Sequence, residues 1–128
     1  MKNVLIVDDS PAVRGAIRFV LEKHHKLAIC SEAEDGARGI AAAEVLKPDL
    51  IILDFAMPKL NGAEAAPILK RILPGVPIIL FTLYENAANA LTPTIGVDMV
   101  LSKSDGFSNL ARCVQALLNP GQNPAPVG

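Results

Sequence analysis

Acidic, hydroxyl and ammonium side chains follow four of the five short aliphatic runs in this sequence. Asp8 and Asp9 follow the first run, and Asp54 follows the third. Thr82 ends the fourth run, and Lys103 comes just after the fifth. Three neighbouring carboxylates repel one another unless a cation lies among them, and a set of oxygen ligands suits Mg²⁺. The residues therefore predict a magnesium site beside a carboxylate that can attack phosphorus.

Each residue type has a distinct part in such chemistry. A carboxylate beside a metal, such as that of Asp54, can act as a nucleophile and become an aspartyl phosphate. The metal neutralises charge on the phosphoryl oxygens in the transition state. Lys103 can pair with one phosphoryl oxygen, and Thr82 can donate a hydrogen bond to another. Taken singly, each residue is more often a cap, a turn or a solvated charge. The prediction depends on their shared position at strand ends.

Aliphatic runs alternate with helical patterns along the chain, and this alternation sets the fold. Five runs predict strands at residues 3–7, 27–30, 50–53, 77–81 and 97–101. Helical spacing and cap residues predict helices from 11 to about 24, 36–45, 63–72, 85–91 and 107–118. Pro67 predicts a kink or an irregular first turn in the third helix, and Pro93 limits the fourth.

Strands that alternate with helices predict an α/β fold with five βα units. The sheet is expected to be parallel and doubly wound, with helices on both faces in three layers. Ligands of such sheets bind at the carboxyl ends of the strands, so the polar residues should meet at one edge. One domain is expected over residues 1–118. Residues 119–128 hold three prolines and two glycines, which predicts a flexible tail or the stub of a linker.

Composition excludes several classes of protein. The 128 residues are 51% hydrophobic but only 4% aromatic, which predicts an aliphatic core. A net charge of −1 gives no basic surface for nucleic acid or for an anionic membrane. No apolar run is long enough to span a membrane, and the first residues do not resemble a signal peptide. We therefore expect a cytoplasmic protein in which Cys30 and Cys113 are buried free thiols.

Two segments carry a resemblance to a known family. The sequence resembles the receiver domains of bacterial two-component response regulators at residues 5–9 (LIVDD) and 54–62 (DFAMPKLNG). Thr82 and Lys103 stand at the positions where that family has its hydroxyl residue and its lysine. The resemblance covers residues 2 to about 118. It implies the flavodoxin-like strand order 2-1-3-4-5. Residues 47–50 (KPDL) and 61–65 (NGAEA) further resemble receivers that are joined to helix-turn-helix output domains.

The resemblance also implies a role for each site residue. Asp54 would accept a phosphoryl group from a histidine kinase or a phosphotransfer protein. Thr82 and Lys103 would contact that group and transmit its presence. Asp8 would act mostly through a bound water, in a Mg²⁺ site formed by Asp8, Asp9, Asp54 and the backbone carbonyl of Ala56. The switched face would bind a downstream protein, the chain's own output domain or a second copy of the chain.

The sequence departs from the family pattern at three positions beside the site. Val100 stands where the family usually has Tyr or Phe, and Leu83 stands where it usually has a small residue. Ser104 follows the lysine, where the family often has proline in a cis peptide. The resemblance therefore extends to the phosphoryl site but not to the aromatic part of the family's switch.

Two other functions are compatible with the same fold. The first is an interaction module that is not phosphorylated, which Val100 and Leu83 favour and the intact acidic set opposes. The second is a small Mg²⁺-dependent phosphohydrolase with an aspartyl nucleophile. Such enzymes usually carry a general acid two residues after the nucleophile, where this chain has Ala56. A dinucleotide-binding domain is opposed by the absence of GxGxxG after the first strand.

Overall fold

Five parallel strands form one sheet. They are β1 (Lys2–Val7), β2 (Ala28–Ala33), β3 (Leu50–Leu53), β4 (Ile78–Thr82) and β5 (Met99–Ser102). The order across the sheet is β2-β1-β3-β4-β5, as the family resemblance implied. The structure is a computed structural model, and it describes residues 2–84, 86, 88–89 and 96–119.

Four helices flank these strands in the described residues. They are α1 (Pro11–Arg18), α2 (Gly36–Leu46), α3 (Gly62–Ile72) and α4 (Phe107–Leu118). A π-helical segment, Phe19–His24, continues α1 to the predicted end, and a 3₁₀ turn, Lys103–Asp105, follows β5. Most of the helix predicted at 85–91, with Pro93, and residues 120–128 of the predicted tail lie outside the described residues. None of the helices that the structure describes is long and apolar enough to cross a membrane.

Alternate residues of the central strands pack into two separate cores. On β1, Val4 and Ile6 join a cluster with residues of α1 and α4. Leu5 and Val7 point to the other face and join a cluster with residues of α2 and α3. Strands β1 and β3 are thus buried on both faces, which explains why they are continuous aliphatic runs. The helices lie on both sides of the sheet, and the predicted three-layer α/β fold is confirmed.

The free edge of β2 is covered by an ion pair. The Cys30 N–H donates to Glu22 Oε2 at 2.7 Å, and its carbonyl accepts from the Arg18 guanidinium. Arg18 Nε and Glu22 Oε1 also lie 3.2 Å apart. An unpaired strand edge can add a strand from another chain, so these side chains close a position where the sheet could extend.

Helix α3 begins against the chain that follows β3. Asn61 Oδ1 accepts from the Glu64 N–H at 2.9 Å, and Glu64 Oε1 accepts from the Asn61 N–H at 3.1 Å, which forms a capping box. The first turn is therefore regular, and the expected irregularity there was wrong. The helix runs on through Pro67, which lies at an exposed position and deprives one carbonyl of its hydrogen bond.

We predict that Gly62→Ala destabilises the chain and that Gly15→Ala does not. An added Cβ at Gly62 would lie 2.4 Å from the Asp54 carbonyl oxygen and 2.8 Å from Phe55 Cα. Overpacking of this kind costs about 1–3 kcal/mol. Gly15, on an exposed part of α1, has nothing within 4 Å of such a Cβ, so its replacement should add about 0.5–1 kcal/mol. Urea unfolding measures both changes, and equal stability of the two variants would contradict the close approach at Gly62.

Candidate functional site

The parallel sheet delivers the acidic residues to one edge. Strands β1 and β3 pair in register from Val4–Leu50 to Val7–Leu53, so the next residue of each strand lies at the same level. The Asp54 N–H donates to the Val7 carbonyl at 2.9 Å, which carries the ladder one residue past β3. Hydrogen bonds of the sheet thus fix the backbone from which the Asp8 and Asp54 side chains project.

Three carboxylates meet at this edge. Asp8, Asp9 and Asp54 each offer an oxygen atom, and these atoms all lie within 4.8 Å of one another. Asp8 is 2% exposed and Asp54 is 6% exposed, whereas Asp9 lies open to solvent. The residues that the sequence assigned to a metal site are therefore brought together as a cluster that could hold a cation.

Lys103 joins the cluster from the other side. Its Nζ donates to Asp8 Oδ2 at 2.8 Å and lies 3.5 Å from Asp54 Oδ2. The second oxygen of Asp8, Oδ1, accepts from the Ser10 N–H at 2.9 Å. Both oxygens of Asp8 thus already have a donor. Asp9 has no hydrogen bond or ion pair to its carboxylate within the described part of the chain.

The ammonium of Lys103 cannot balance three carboxylates, two of which are buried. Burial and, next, the negative charge of Asp8 raise the pKa of Asp54, whereas the ammonium of Lys103 lowers it, and the net result is a pKa of about 6. A divalent cation would offset the remaining repulsion and favour the ionised form of Asp54. An all-oxygen donor set with one exposed member fits a hard cation that keeps some of its water.

A shallow groove opens beside the cluster. It is lined by Asp9, Phe55, Ala56, Met57, Pro58 and Asn61. Ala56 therefore lies along the same groove as Asp9, where the sequence predicted its carbonyl as a metal ligand. The loop after Asp54 turns back through Lys59, whose φ is 67°, and closes with a 2.8 Å hydrogen bond from the Gly62 N–H to the Phe55 carbonyl.

Thr82 reaches the same edge but has a different partner. Thr82 on β4 pairs in register with Ser102 on β5, and the next residue along β5 is Lys103. The Thr82 side chain is fully buried, and its Oγ1 accepts from the Tyr84 N–H at 3.0 Å. No hydrogen bond joins Thr82 to the acids among the described residues, so its contact with a phosphoryl group stays a prediction. The Lys103–Ser104 peptide is trans.

Two residues hold the first acidic loop, and the sequence predicted only the capping role of Ser10. Ser10 binds Asp8 Oδ1 through its backbone and caps α1 with its hydroxyl, which accepts from the Val13 N–H at 3.2 Å. Arg14 reaches back from α1 to the Asp8 carbonyl oxygen. The cap of Ser10 was visible in the sequence, whereas an arginine on an amphipathic helix has no signal that separates it from a solvated charge.

Two acids outside the cluster have structural roles. Asp35 is 3% exposed and caps α2, because its Oδ1 accepts from the Arg38 N–H at 2.8 Å. Glu32 forms ion pairs with Arg14 at 2.8 Å and with Arg18 at 2.7 Å. An acid directly before a helix is a common cap, and that signal was present.

We predict that Asp54→Asn stabilises the metal-free chain at neutral pH. The folded chain binds the Asp54 proton more tightly than the unfolded chain, since its pKa is about 6 against an ordinary 3.8. Ionisation of Asp54 therefore lowers stability as pH rises from about 4 to about 6, and the whole loss is present above that window. The Asp54→Asn variant should be more stable by about 3 kcal/mol at about pH 7.5 and equal near pH 4.

Urea unfolding at the two pH values measures the difference. Asp105→Asn, at an exposed position two residues after Lys103, controls for the change in net charge. A pH-independent difference between Asp54→Asn and the parent, or an Asp54→Asn variant that is less stable at neutral pH, would contradict this account of the cluster.

Comparison with known proteins identifies relatives of this chain in sequence. A family model described as the response regulator receiver domain matches residues 4–115. The protein-glutamate methylesterase/protein-glutamine glutaminase of Maricaulis maris is 37% identical over 114 residues, which are 89% of this chain and 27% of that protein. The DNA-binding transcriptional activator EvgA of Escherichia coli is 30% identical over 118 residues, which are 91% of this chain and 57% of EvgA.

Solved structures show the same fold. The chemotaxis protein CheY4 of Vibrio cholerae is 26% identical, with a TM-score of 0.82 over 92% of this chain and 99% of that chain. A LuxR-family two-component response regulator from Aurantimonas is 26% identical, with a TM-score of 0.84 over 94% of this chain and 86% of that chain. The chain spans from about a quarter to just over half of the length of the curated relatives compared here. It belongs to the family of response regulator receiver domains.

Proposed function

We propose that this chain is a phosphorylatable receiver, which accepts a phosphoryl group on Asp54 from a histidine kinase or a phosphotransfer protein. The observation that carries the proposal is the position of the Asp54 carboxylate. It lies within 4.8 Å of Asp8 and Asp9 and 3.5 Å from the Lys103 ammonium, beside an open groove. A buried nucleophile, further acids for a metal and a cation for the phosphoryl oxygens are the parts that aspartyl phosphorylation requires.

The donor set supports Mg²⁺ as the bound cation. Asp9 and Asp54 would be direct ligands, and the carbonyl of Ala56 would be a third. Among the described residues the Asp9 carboxylate has no hydrogen-bond or ion-pair partner, and that of Asp54 has only the Lys103 ammonium at 3.5 Å. Asp8 would act through a bound water, since both of its oxygens already accept hydrogen bonds. Bound Mg²⁺ would supply neutralisation of charge on the phosphoryl oxygens.

The other site residues would position the incoming group. Asp54 must attack as the anion, and a pKa of about 6 leaves it mostly ionised at neutral pH. Lys103 Nζ, which lies 3.5 Å from Asp54 Oδ2, would contact a phosphoryl oxygen. Thr82 Oγ1 accepts from Tyr84, and among the described residues its own hydroxyl proton has no acceptor, so that proton is available to a phosphoryl oxygen.

The two alternatives are less well supported. A phosphohydrolase needs a general acid, and Ala56, which lines the groove, cannot supply a proton. Receiver domains are signalling modules, and the methylesterase named among the relatives is a longer protein of which this chain covers 27%. An unphosphorylated interaction module is opposed by the cluster of three acids, because such a module would have neither a cation nor a phosphoryl group to account for their mutual repulsion.

The output of the switch belongs to the same proposal. A downstream protein, an output domain of the chain's own or a second copy would bind the phosphorylated face.

We place the domain at residues 1–118, with 119–128 as a tail or linker. We also place the protein in the cytoplasm, without direct contact with nucleic acid or membrane. The free thiols of Cys30, which is buried, and Cys113, which is only partly buried, support a reducing compartment.

We predict that a small phosphodonor such as acetyl phosphate, with Mg²⁺, adds one phosphoryl group to the chain. Intact-mass spectrometry should detect the gain in the parent chain and in Asp105→Asn, and it should be lost in Asp54→Asn because an amide is not a nucleophile here. Removal of Mg²⁺ with a chelator should also abolish the gain. Labelling that persists in the Asp54→Asn variant would refute Asp54 as the acceptor.

We predict that Lys103→Gln separates metal binding from phosphorylation. Loss of the ammonium removes a charge that opposes a second cation, so Mg²⁺ affinity should hold or rise. The rate of phosphorylation at saturating Mg²⁺ should fall by about tenfold or more, because a donor to the phosphoryl oxygens is lost. Lys59→Gln, at an exposed lysine of the neighbouring loop, is the matched control. An unchanged rate in the Lys103→Gln variant would exclude Lys103 from the chemistry.

A further inference from the structure

Arg14 reaches from α1 back to the loop that carries the first two acids. Its Nη1 donates to the Asp8 carbonyl oxygen at 2.5 Å, and its Nε donates to Glu32 Oε1 at 2.8 Å. The Arg14 side chain is only 14% exposed. It is therefore packed into one geometry between α1, β2 and the acidic loop, unlike an arginine on a solvated helix face.

The contact with Asp8 completes a set of hydrogen bonds around the loop. The Asp8 side chain holds the Ser10 N–H, the Ser10 hydroxyl holds the Val13 N–H, and the Ser10 carbonyl accepts from the Arg14 N–H at 3.0 Å. These bonds fix the end of the loop where α1 begins. The hydrogen bond from the Arg14 side chain fixes the other part, the peptide group between Asp8 and Asp9.

The orientation of that peptide group decides where the Asp9 carboxylate points. Asp9 is exposed, and no hydrogen bond holds its carboxylate within the described residues. Its place within 4.8 Å of the Asp8 and Asp54 oxygens therefore depends on the backbone. We infer that Arg14 is a positioning residue for the metal site, which holds the Asp8–Asp9 peptide so that Asp9 faces Asp54. The inference rests on the proposed function, since it concerns the affinity of that site for Mg²⁺.

Glu32 makes this arrangement compatible with cation binding. An unpaired guanidinium beside the acids would repel a metal ion, but Glu32 pairs with Arg14 and with Arg18. Glu32 lies on β2, opposite Ile6 of β1, so the ion pair is anchored in the sheet rather than on a loop. Arg14 can thus donate to the loop while its charge is offset on the side away from the site.

Arg18 is a matched control one helical turn along α1. It also pairs with Glu32, and it also donates to a backbone carbonyl, but that carbonyl belongs to Cys30 on the edge strand β2. Replacement of either arginine removes one positive charge and one bond to Glu32. Only replacement of Arg14 releases the acidic loop.

The test compares Arg14→Ala with Arg18→Ala in the full chain. Isothermal titration calorimetry with MgCl₂ should show Mg²⁺ binding that is weaker by about tenfold or more in Arg14→Ala, which is typical for loss of a residue that orients a metal ligand. Arg18→Ala should stay within about twofold of the parent. Amide hydrogen exchange in the metal-free chain should become faster at Asp9 and Ser10 in Arg14→Ala alone. Arg14→Lys, which can keep one donor to the Asp8 carbonyl, should recover part of the Mg²⁺ affinity. It also provides a folded variant for the comparison if Arg14→Ala does not fold.

Three results would overturn the inference. The first is Mg²⁺ affinity in Arg14→Ala within about twofold of the parent, and the second is an equal loss in both alanine variants. The third is an Arg14→Lys chain that is as weak as the alanine variant. A parent chain that neither binds Mg²⁺ nor is phosphorylated on Asp54 would instead refute the proposed function.

Discussion

The mutual repulsion of three carboxylates at one edge of the sheet is the constraint on which this structure depends. Asp8 and Asp54 are buried there, and a single ammonium, that of Lys103, faces them. Burial and the charge of Asp8 raise the pKa of Asp54 to about 6, so the ionised cluster opposes folding in the absence of a cation. Because its carboxylates repel one another, the site responds strongly to any group that alters its charge, whether a metal ion or a phosphoryl group.

The aliphatic sheet makes such a cluster possible. Strands β1 and β3 are buried on both faces, and their ladder continues past the strand ends to the amide of Asp54. On one side of the site, Gly62 lets α3 start in contact with the Asp54 backbone. On the other side, Ser10 and Arg14 hold the loop that carries Asp8 and Asp9. The backbone that carries the repelling groups is thus fixed by these contacts.

Local sequence signals predicted much of the fold and of the candidate site. The aliphatic runs predicted all five strands to within a few residues, because the buried strands of a parallel sheet carry mostly aliphatic side chains. The positions of Asp8, Asp54 and Lys103 at strand ends predicted that they would meet, and the structure joins them. Pro67 was misleading for α3, because the capping box of Asn61 and Glu64 keeps the first turn regular. The second half of the first helix was predicted in extent but not in its π-helical form.

By itself the sequence determined the fold class, the residues at the carboxyl edge and the chemistry that those residue types allow, since strand periodicity and residue type are local properties. Only the tertiary structure decided which acid is free for a cation. The donors that occupy Asp8 are the backbone of Ser10 and the side chain of Lys103, which lies 95 residues further along the chain. Only the tertiary structure also turned Arg14 toward the acidic loop, because its direction depends on Glu32 of a neighbouring strand. Hydrogen-bond partners distant in sequence leave no local pattern, and they appear only when the chain is folded.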